Sequence, residues 1–262
     1  MGLSSEVRFA MKKTAGICLL GLFLVFGPGA GQEKTLKNAV ALISDSDIQC
    51  SFSAIAAVPA LKIAASERGG EIMILGIGDL FYVTSGAADA LRVGNELTIL
   101  EVGGRLAAPK GKKSPGLLAH KRGRARIIRI DAKQAVARVE KSCGPVMIGN
   151  SLVPYTEREG ILGHDLGFAG AVFDQGALSG RIILMESEFV QIAQGQLALI
   201  DLGTDQGVQF GQQLTVFHPA EKNAPPEALG NVIIIDAGKT TSTIKVLSAK
   251  DALRLDDIVQ VK

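Results

Sequence analysis

A glycine-punctuated stretch occurs twice in this chain of 262 residues and constrains the fold more than any other feature. The first copy spans residues 78–100 and the second spans residues 195–217. Three glycines and a Leu-Thr pair coincide without a gap at a constant offset of 117 (195 − 78). The coinciding glycines are Gly78, Gly86 and Gly94 in the first copy and Gly195, Gly203 and Gly211 in the second. The alternative is two unrelated hairpins with glycines in chance register, but self-similarity of this kind indicates duplicated modules.

Each copy has the pattern of a strand, a turn and a second strand. Leu80 and Tyr82 alternate with neighbours that can face the opposite side, as Leu197 and Leu199 do in the second copy. A period of two is typical of a half-buried strand. The repeat glycines are expected where φ must be positive or where a side chain would clash.

Further matches extend both copies. The aligned segments are residues 70–75 with 180–184, 125–132 with 230–237, 134–140 with 240–246, and 151–153 with 257–261. This alignment places Asp131 with Asp236, and we interpret both as turn acids between two strands. Each module then has five or six short strands, which predicts a small closed or nearly closed β-barrel without exposed edges.

The predicted fold class is therefore all-β, with two tandem small β-barrels after an N-terminal signal segment. The 31 glycines, the absence of tryptophan and the 5% aromatic content favour short strands, many turns and aliphatic cores. The formal net charge of +2 indicates no partner by itself. The predicted domains are a signal peptide at 1–31, an N-terminal extension packing on module one at 32–69, module one at 70–155, a glycine-rich linker at 156–179 and module two at 180–262.

The N-terminus has the order of a secretory signal. Basic residues come first, an apolar run follows at residues 15–26, and small residues occupy 27–31. This order predicts export and cleavage near Ala30 or Gly31. The run is shorter than the ~20 residues that span a bilayer as a helix, so no membrane span is expected in the mature chain. An uncleaved N-terminal anchor is the alternative.

Removal of the signal leaves two cysteines, Cys50 and Cys143. An even number of cysteines in an oxidising compartment permits one disulfide between them. Two separate buried thiols are the alternative.

A strongly basic stretch without an acid covers residues 105–126. Its candidate partner-binding residues are Lys110, Lys112, Lys113, Lys121, Arg122 and Arg124. Such a loop could hold an anionic polymer, phosphate head groups or nucleic acid, or it could be a solvated hairpin tip. For the whole chain, the expected partner is an anionic envelope polymer or another envelope protein. No aromatic residue separates the charges, so bases would have no stacking platform and nucleic acid is not expected.

The sequence contains no recognisable catalytic or metal-binding motif. The histidines, at positions 120, 164 and 218, have no partner at metal-ligand spacing, and no Cys-x-x-Cys occurs. Phosphate-loop, dinucleotide-binding and nucleophile-elbow patterns are incomplete or absent. We therefore predict no catalytic residue, no metal and no cofactor.

The stretch GDLFYV at residues 78–83, followed by SGAADALRVGNELT at 85–98, resembles the C-terminal β-barrel domain of the flagellar assembly protein T family. It is also similar to tandem barrels of exported bacterial envelope proteins, some of which carry a peptidoglycan-binding LysM domain. The resemblance covers residues 70–153 and 180–262. It implies an envelope location and a role in binding or assembly.

Together these observations predict an exported, non-enzymatic, envelope-associated binding or assembly protein. A periplasmic adaptor of a transport or secretion complex is one alternative, although the long heptad helices of such adaptors are absent from the sequence. An enzyme with an unrecognised site is the other.

Overall fold

The computed structural model describes residues 39–262, with short gaps. The gaps are residue 71, residues 85–90, residue 110, and residues 132–133, 187–188 and 220–223. The predicted signal peptide and Gly86 therefore lie outside the described residues. Among the residues that are described, the fold is all-β apart from one short helix and one 3₁₀ turn, as predicted.

The elements follow one another along the chain in a fixed order. They are β1 (Val40–Ile43), α1 (Asp45–Gln49), β2 (Phe52–Ile55), β3 (Ile63–Ser66), β4 (Ile74–Leu75), β5 (Leu80–Val83), β6 (Glu96–Arg105), β7 (Leu117–Asp131), β8 (Gln134–Ser142), β9 (Val146–Met147), β10 (Ser151–Pro154), β11 (Ile161–Gly163), β12 (Ser179–Met185), β13 (Leu197–Ile200), the 3₁₀ turn (Thr204–Gln206), β14 (Gln213–His218), β15 (Glu227–Ala237), β16 (Ser242–Ala249) and β17 (Ile258–Val261).

The C-terminal half forms a closed barrel of six strands in the order β12-β13-β16-β15-β14-β17. The barrel closes because β12 pairs with both β13 and β17. Its interior is aliphatic, as the composition predicted, and Ile200, Ile234 and Ile244 are fully buried there. Neighbouring side chains such as Leu199 and Ile233 are also buried, but in a second cluster outside the barrel. Both faces of these strands are covered, which explains their continuous apolar runs.

The N-terminal half forms a seven-stranded sheet in the order β10-β6-β7-β8-β5-β3, with β2 added on β7. Its two ends meet beside the isolated bridge between Lys62 and Ser151. Backbone hydrogen bonds flank that bridge, among them Leu152 N to Leu61 O at 2.8 Å and Ile63 N to Asn150 O at 2.9 Å. Of the two barrels predicted, one is therefore a closed barrel in the described structure, and the other is a sheet that curls until its ends touch.

The two sheets share one pairing scheme. The pair Leu80 with Arg138 recurs as Leu197 with Lys245, at offsets of 117 (197 − 80) and 107 (245 − 138). The same two offsets relate the β6–β7 pairs to the β14–β15 pairs. The backbone hydrogen bond from Gly78 N to Val139 O likewise recurs from Gly195 N to Val246 O, at 2.8 and 2.9 Å.

The offset of 107 corrects the predicted alignment of the second half. Arg129 pairs with Val136, and the corresponding pair is Asp236 with Thr243. Asp236 is thus equivalent to Arg129 and not to Asp131, and it lies within β15, so it is not a turn acid. The shared Asp-Ala dipeptide was a coincidence, whereas strand register is set by hydrogen bonding and by which face is buried.

The predicted upstream match is also wrong. The counterpart of β12 is β3, because Ile63 pairs with Val83 as Ile182 pairs with Ile200. Residues 74–75 instead form β4 and pair with β9. The sequence of β3 is Ile-Ala-Ala-Ser, which keeps too few large apolar residues to resemble β12.

Most of the repeat glycines meet one of two backbone requirements. Those with positive φ, between 81° and 92°, are Gly78, Gly94, Gly195 and Gly211. Gly203 has extended backbone, but a Cβ there would overlap the carbonyl oxygen of Lys239. These positions belong to turns that a bulkier residue would strain.

The apolar cluster outside the barrel that contains Leu199 and Ile233 lies between the two sheets. Ile43 and Phe52 from the N-terminal extension pack there with Leu199 and Ile233 of the barrel. The extension contacts the first sheet through the β2–β7 pairing and the barrel through this cluster. Among the described residues, no helix is long and apolar enough to cross a bilayer.

Cys50 and Cys143 form a disulfide across 93 residues, which confirms the predicted pairing. The bond joins the end of α1 to the connection between β8 and β9. It therefore fixes the N-terminal extension to the first sheet next to the cavity described below.

Candidate ligand-binding cavity

A cavity of about 400 Å³ opens where the extension, the first sheet and the barrel meet. This volume is within the usual range of small-molecule sites, roughly 300–1,000 Å³. Side chains of α1, β2, β6, β7 and β10 line it, together with the segment after β10 and one residue of the barrel. The lining residues used below are Ile48, Gln49, Ser53, Ile55, Ala57, Leu100, Lys121, Gly123, Arg124, Val153, Tyr155, Arg158 and Asp236.

Two cations in the lining share one carboxylate. Lys121 Nζ donates to Asp236 Oδ2 at 2.9 Å and to the carbonyl of Ile48 at 2.9 Å. Arg158 Nη1 donates to Asp236 Oδ1 at 3.3 Å, and its guanidinium lies over the Phe210 ring. Both oxygens of Asp236 are therefore engaged, while two positive charges face a single negative one.

Arg124 is poorly paired. Its nearest carboxylates, Glu96 and Glu140, lie 3.5 and 3.6 Å away, and both make closer contacts with Arg126. The buried Nε of Arg124 has no hydrogen-bond partner among the described residues. Its guanidinium lies 5.1 Å from the centre of the Tyr155 ring, which holds it by a cation–π contact.

Gln49 provides a second unsatisfied polar group. Its Nε2 approaches the Tyr155 hydroxyl at 3.5 Å. Its buried Oε1 accepts no hydrogen bond from the described part of the chain. A buried polar atom without a partner costs about 1–3 kcal/mol, so such atoms are uncommon in finished protein interiors. Gln49 and Arg124, which carry two such atoms, both belong to the cavity lining.

A β-bulge places two of the basic side chains of β7, Lys121 and Arg124, in the cavity lining. Ile99 pairs with Gly123, but Leu100 pairs with Lys121, so Arg122 is an extra residue in the strand. In a regular strand, residues 121 and 124 would face opposite sides of the sheet. The extra residue brings both into the lining, while Arg122 contacts Glu101.

Apolar side chains form much of the rest of the cavity wall. Ile48, Ile55, Leu100 and Val153 contribute aliphatic surface, and they come from α1, β2, β6 and β10 respectively. The cavity thus combines an apolar wall with basic side chains.

The predicted basic residues are used largely within the chain. Lys112 Nζ lies 2.6 Å from Asp201 of the barrel, and Lys121 contacts Asp236 of the barrel. Arg122 and Arg124 face carboxylates of the first sheet. Lys113 is exposed, and it makes no ion pair with the residues described. Lys110 lies outside the described residues.

The histidines do not converge on one site. His218 Nδ1 lies 2.7 Å from Asp257 Oδ1, and His164 offers its backbone carbonyl to Gln213. Burial, followed by the positive charge of Arg122, lowers the pKa of His120. No group of three or more metal-binding side chains occurs in the described parts of the chain.

Sequence reasoning selected Lys121 and Arg124 but missed Gln49, Tyr155, Arg158 and Asp236. The one available signal was Asp236, an acid directly after the apolar run Val-Ile-Ile-Ile. A charge at the end of such a run can mark a buried ion pair, but only the fold identifies its partners.

Comparison with protein-family models finds no match to this chain, and a search of curated proteins finds no significant relative.

Proposed function

We propose that this chain is an exported, non-enzymatic, envelope-associated binding protein whose ligand occupies the junction cavity. One observation carries the proposal: a cavity of small-molecule size is lined by three cationic side chains and one carboxylate, with aliphatic side chains around them. A ligand with a polar head and an apolar part would match both kinds of surface. Binding sites commonly combine an apolar wall with a few convergent polar groups.

The location of the cavity supports a ligand-dependent role. Its lining comes from the extension, the first sheet and the barrel, so a bound ligand would stabilise their present arrangement by mass action. Both assembly and binding functions in the envelope could use such ligand-dependent stabilisation. The resemblance to flagellar assembly protein T barrels points to the same class of role, and the shared strand pairing supports an origin by duplication of one barrel.

Export rests on the signal-like N-terminus and is supported by the disulfide, since disulfides persist in oxidising compartments. Fractionation of the native host is expected to recover the chain with envelope markers, shortened near Ala30. Cys50 and Cys143 should react with a maleimide only after reduction. The Leu20→Arg, Leu24→Arg variant, which interrupts the apolar run, should stay with cytosolic markers. Recovery of the parent chain in the cytosol would contradict export.

Occupancy of the cavity can be tested with an uncharged fluorescent probe, N-phenyl-1-naphthylamine. The purified mature chain is expected to bind one probe with a Kd on the order of 0.1 mM, as the ligand efficiency of a molecule this size implies. Ser53→Phe fills the cavity from β2 and should weaken binding at least about tenfold. Ser53→Ala is the matched control and should bind like the parent.

A second blocking variant keeps the test valid if Ser53→Phe does not fold. Ala57 is an exposed residue at the cavity margin, so Ala57→Phe should fold normally and still obstruct entry. Probe binding that is unaffected by both Ser53→Phe and Ala57→Phe, with thermal unfolding unchanged, would place the probe elsewhere and contradict the proposal.

A further inference from the structure

The geometry points to the chemical class of the ligand: a small amphipathic carboxylate, with an anionic head and a single apolar tail. This inference rests on the proposed function, because it concerns the same cavity. The charges of the lining, the Arg124 guanidinium and the aliphatic walls of that cavity support it.

The charge of the lining favours an anion. Lys121, Arg124 and Arg158 are positive, and Asp236 is the acid among the lining residues. The charge of Asp236 is already covered by two hydrogen-bonded cations, so it would repel an incoming carboxylate only weakly. A cationic ligand, in contrast, would face three like charges at close range in a partly desolvated site.

The guanidinium of Arg124, which belongs to the cavity lining, gives the head group a place to bind. A guanidinium presents its N–H groups in a planar fork that matches a carboxylate. The Arg124 side chain is 27% exposed, and its carboxylate contacts are long: Nη1 lies 3.5 Å from Glu96 and Nε lies 3.6 Å from Glu140. A ligand carboxylate could therefore bind the exposed part of the guanidinium without displacing a short ion pair of the protein.

The aliphatic side chains Ile48, Ile55, Leu100 and Val153 favour an apolar tail. Burying a methylene group contributes about 0.8 kcal/mol, so a tail of several carbons would supply most of the binding free energy. The head group then determines selectivity among ligands with the same tail, which is how charged groups commonly act at binding sites.

The inference predicts an order of affinity among three ten-carbon probes that differ only in the head. Decanoate, decanol and decyltrimethylammonium are titrated below their micellar concentrations by displacement of N-phenyl-1-naphthylamine. Decanoate is expected to bind about tenfold tighter than decanol, and decyltrimethylammonium should bind most weakly. Acetate, which has the head without the tail, should not displace the probe.

Substitutions at Arg124 and at Asp236 should have effects of opposite sign on decanoate binding. Arg124→Gln should weaken decanoate binding by about ten- to a hundredfold and leave decanol nearly unchanged, because a hydrogen bond to a charged group contributes about 1.5–3 kcal/mol. Arg124→Lys should give an intermediate affinity, since it keeps the charge without the fork. Asp236→Asn should strengthen decanoate binding by a few-fold and should not weaken it.

The outcomes separate this inference from the proposed function. Displacement by decanol or decyltrimethylammonium as effective as that by decanoate would overturn the carboxylate while leaving the cavity as the binding site. Weaker decanoate binding in a folded Asp236→Asn variant would also overturn it. Absence of binding by the neutral probe would contradict the proposed function itself.

Discussion

The double variant Cys50→Ser, Cys143→Ser is expected to unfold with a free energy about 4–5 kcal/mol lower than that of the parent chain. The disulfide connects residues 93 positions apart. In the chain-entropy model, a cross-link stabilises the folded state by restricting the unfolded chain, and the effect grows with the length of the closed loop. A loss of this size is a large part of the 5–15 kcal/mol that stabilises a typical domain.

Guanidinium unfolding of the mature chain, followed by circular dichroism, measures this loss. The parent in the presence of dithiothreitol should match the double variant, because reduction removes the same constraint. The dependence of the free energy on denaturant should become steeper, since an uncross-linked unfolded chain exposes more surface. A change of less than about 1 kcal/mol would show that the unfolded chain is already restricted without the bond.

The disulfide also bears on the cavity, because Cys50 directly follows Ile48 and Gln49 in the chain. The same segment is held by the β2–β7 pairing and by Asp47, whose carboxylate lies 2.7 Å from Lys245 of the barrel. Burial acts to raise the pKa of Asp47, but hydrogen bonds from Lys245 and Ser44 outweigh it, so the net pKa is lowered. This carboxylate therefore stabilises the fold above its unfolded pKa, and its contribution falls as acid protonates it.

The first half of each module could be read from the sequence because its turns demand glycine. Gly78 and Gly195 adopt positive φ and make the same backbone hydrogen bond. The backbone requires a glycine at such positions, so the glycine is kept in both copies even where the surrounding side chains differ. The offset of 117 is accordingly preserved in the strand pairing.

The second half could not be aligned from the sequence for the opposite reason. Strands β7 and β15 contain few residues whose identity is fixed by backbone conformation, and many aliphatic residues satisfy a buried position equally well. The Asp-Ala dipeptide at 131–132 therefore led to the wrong alignment. The observed register pairs Arg129 with Val136 and Asp236 with Thr243. A slip of two residues keeps the inward and outward alternation, so hydrophobic pattern alone cannot detect it.

Only part of the candidate site could be predicted from the sequence. The basic stretch was conspicuous, and it does contain Lys121 and Arg124. The acids that accept its hydrogen bonds lie far along the chain, with Asp201 and Asp236 on the barrel. Charges that look solvated in a linear stretch become internal ion pairs once the long β6–β7 hairpin reaches the second sheet.

Gly123→Ala is expected to lower the free energy of unfolding by about 3 kcal/mol and to weaken decanoate binding as well. Gly123 has a φ of 156°, and a Cβ built there would overlap the carbonyl oxygen of Lys141 on the neighbouring strand. That neighbour is backbone within a sheet, so it cannot move aside cheaply. Overpacking in a well-packed region costs about 1–3 kcal/mol, and an unfavourable backbone conformation adds a further ~1–3 kcal/mol.

The equivalent position in the barrel meets the same constraint. Gly230 corresponds to Gly123 at the offset of 107 (230 − 123), and a Cβ there would lie 2.7 Å from the carbonyl oxygen of Ser248. Gly104→Ala on β6 is the matched control, because a Cβ at that position meets no atom within 4 Å. Its stability should stay within about 0.5 kcal/mol of the parent.

Measuring both the free energy of unfolding and the decanoate affinity of Gly123→Ala distinguishes a local role of this glycine from a general loss of stability. Gly123 is adjacent to the bulge that brings Lys121 and Arg124 into one lining, so relief of the clash by a shift in register would return one of them to the opposite face. Decanoate affinity, measured below the unfolding transition where the chain is still folded, should therefore fall about tenfold, whereas decanol affinity should change little. A destabilised Gly123→Ala variant that binds decanoate like the parent would show that the bulge persists and that the cation pair does not depend on this glycine.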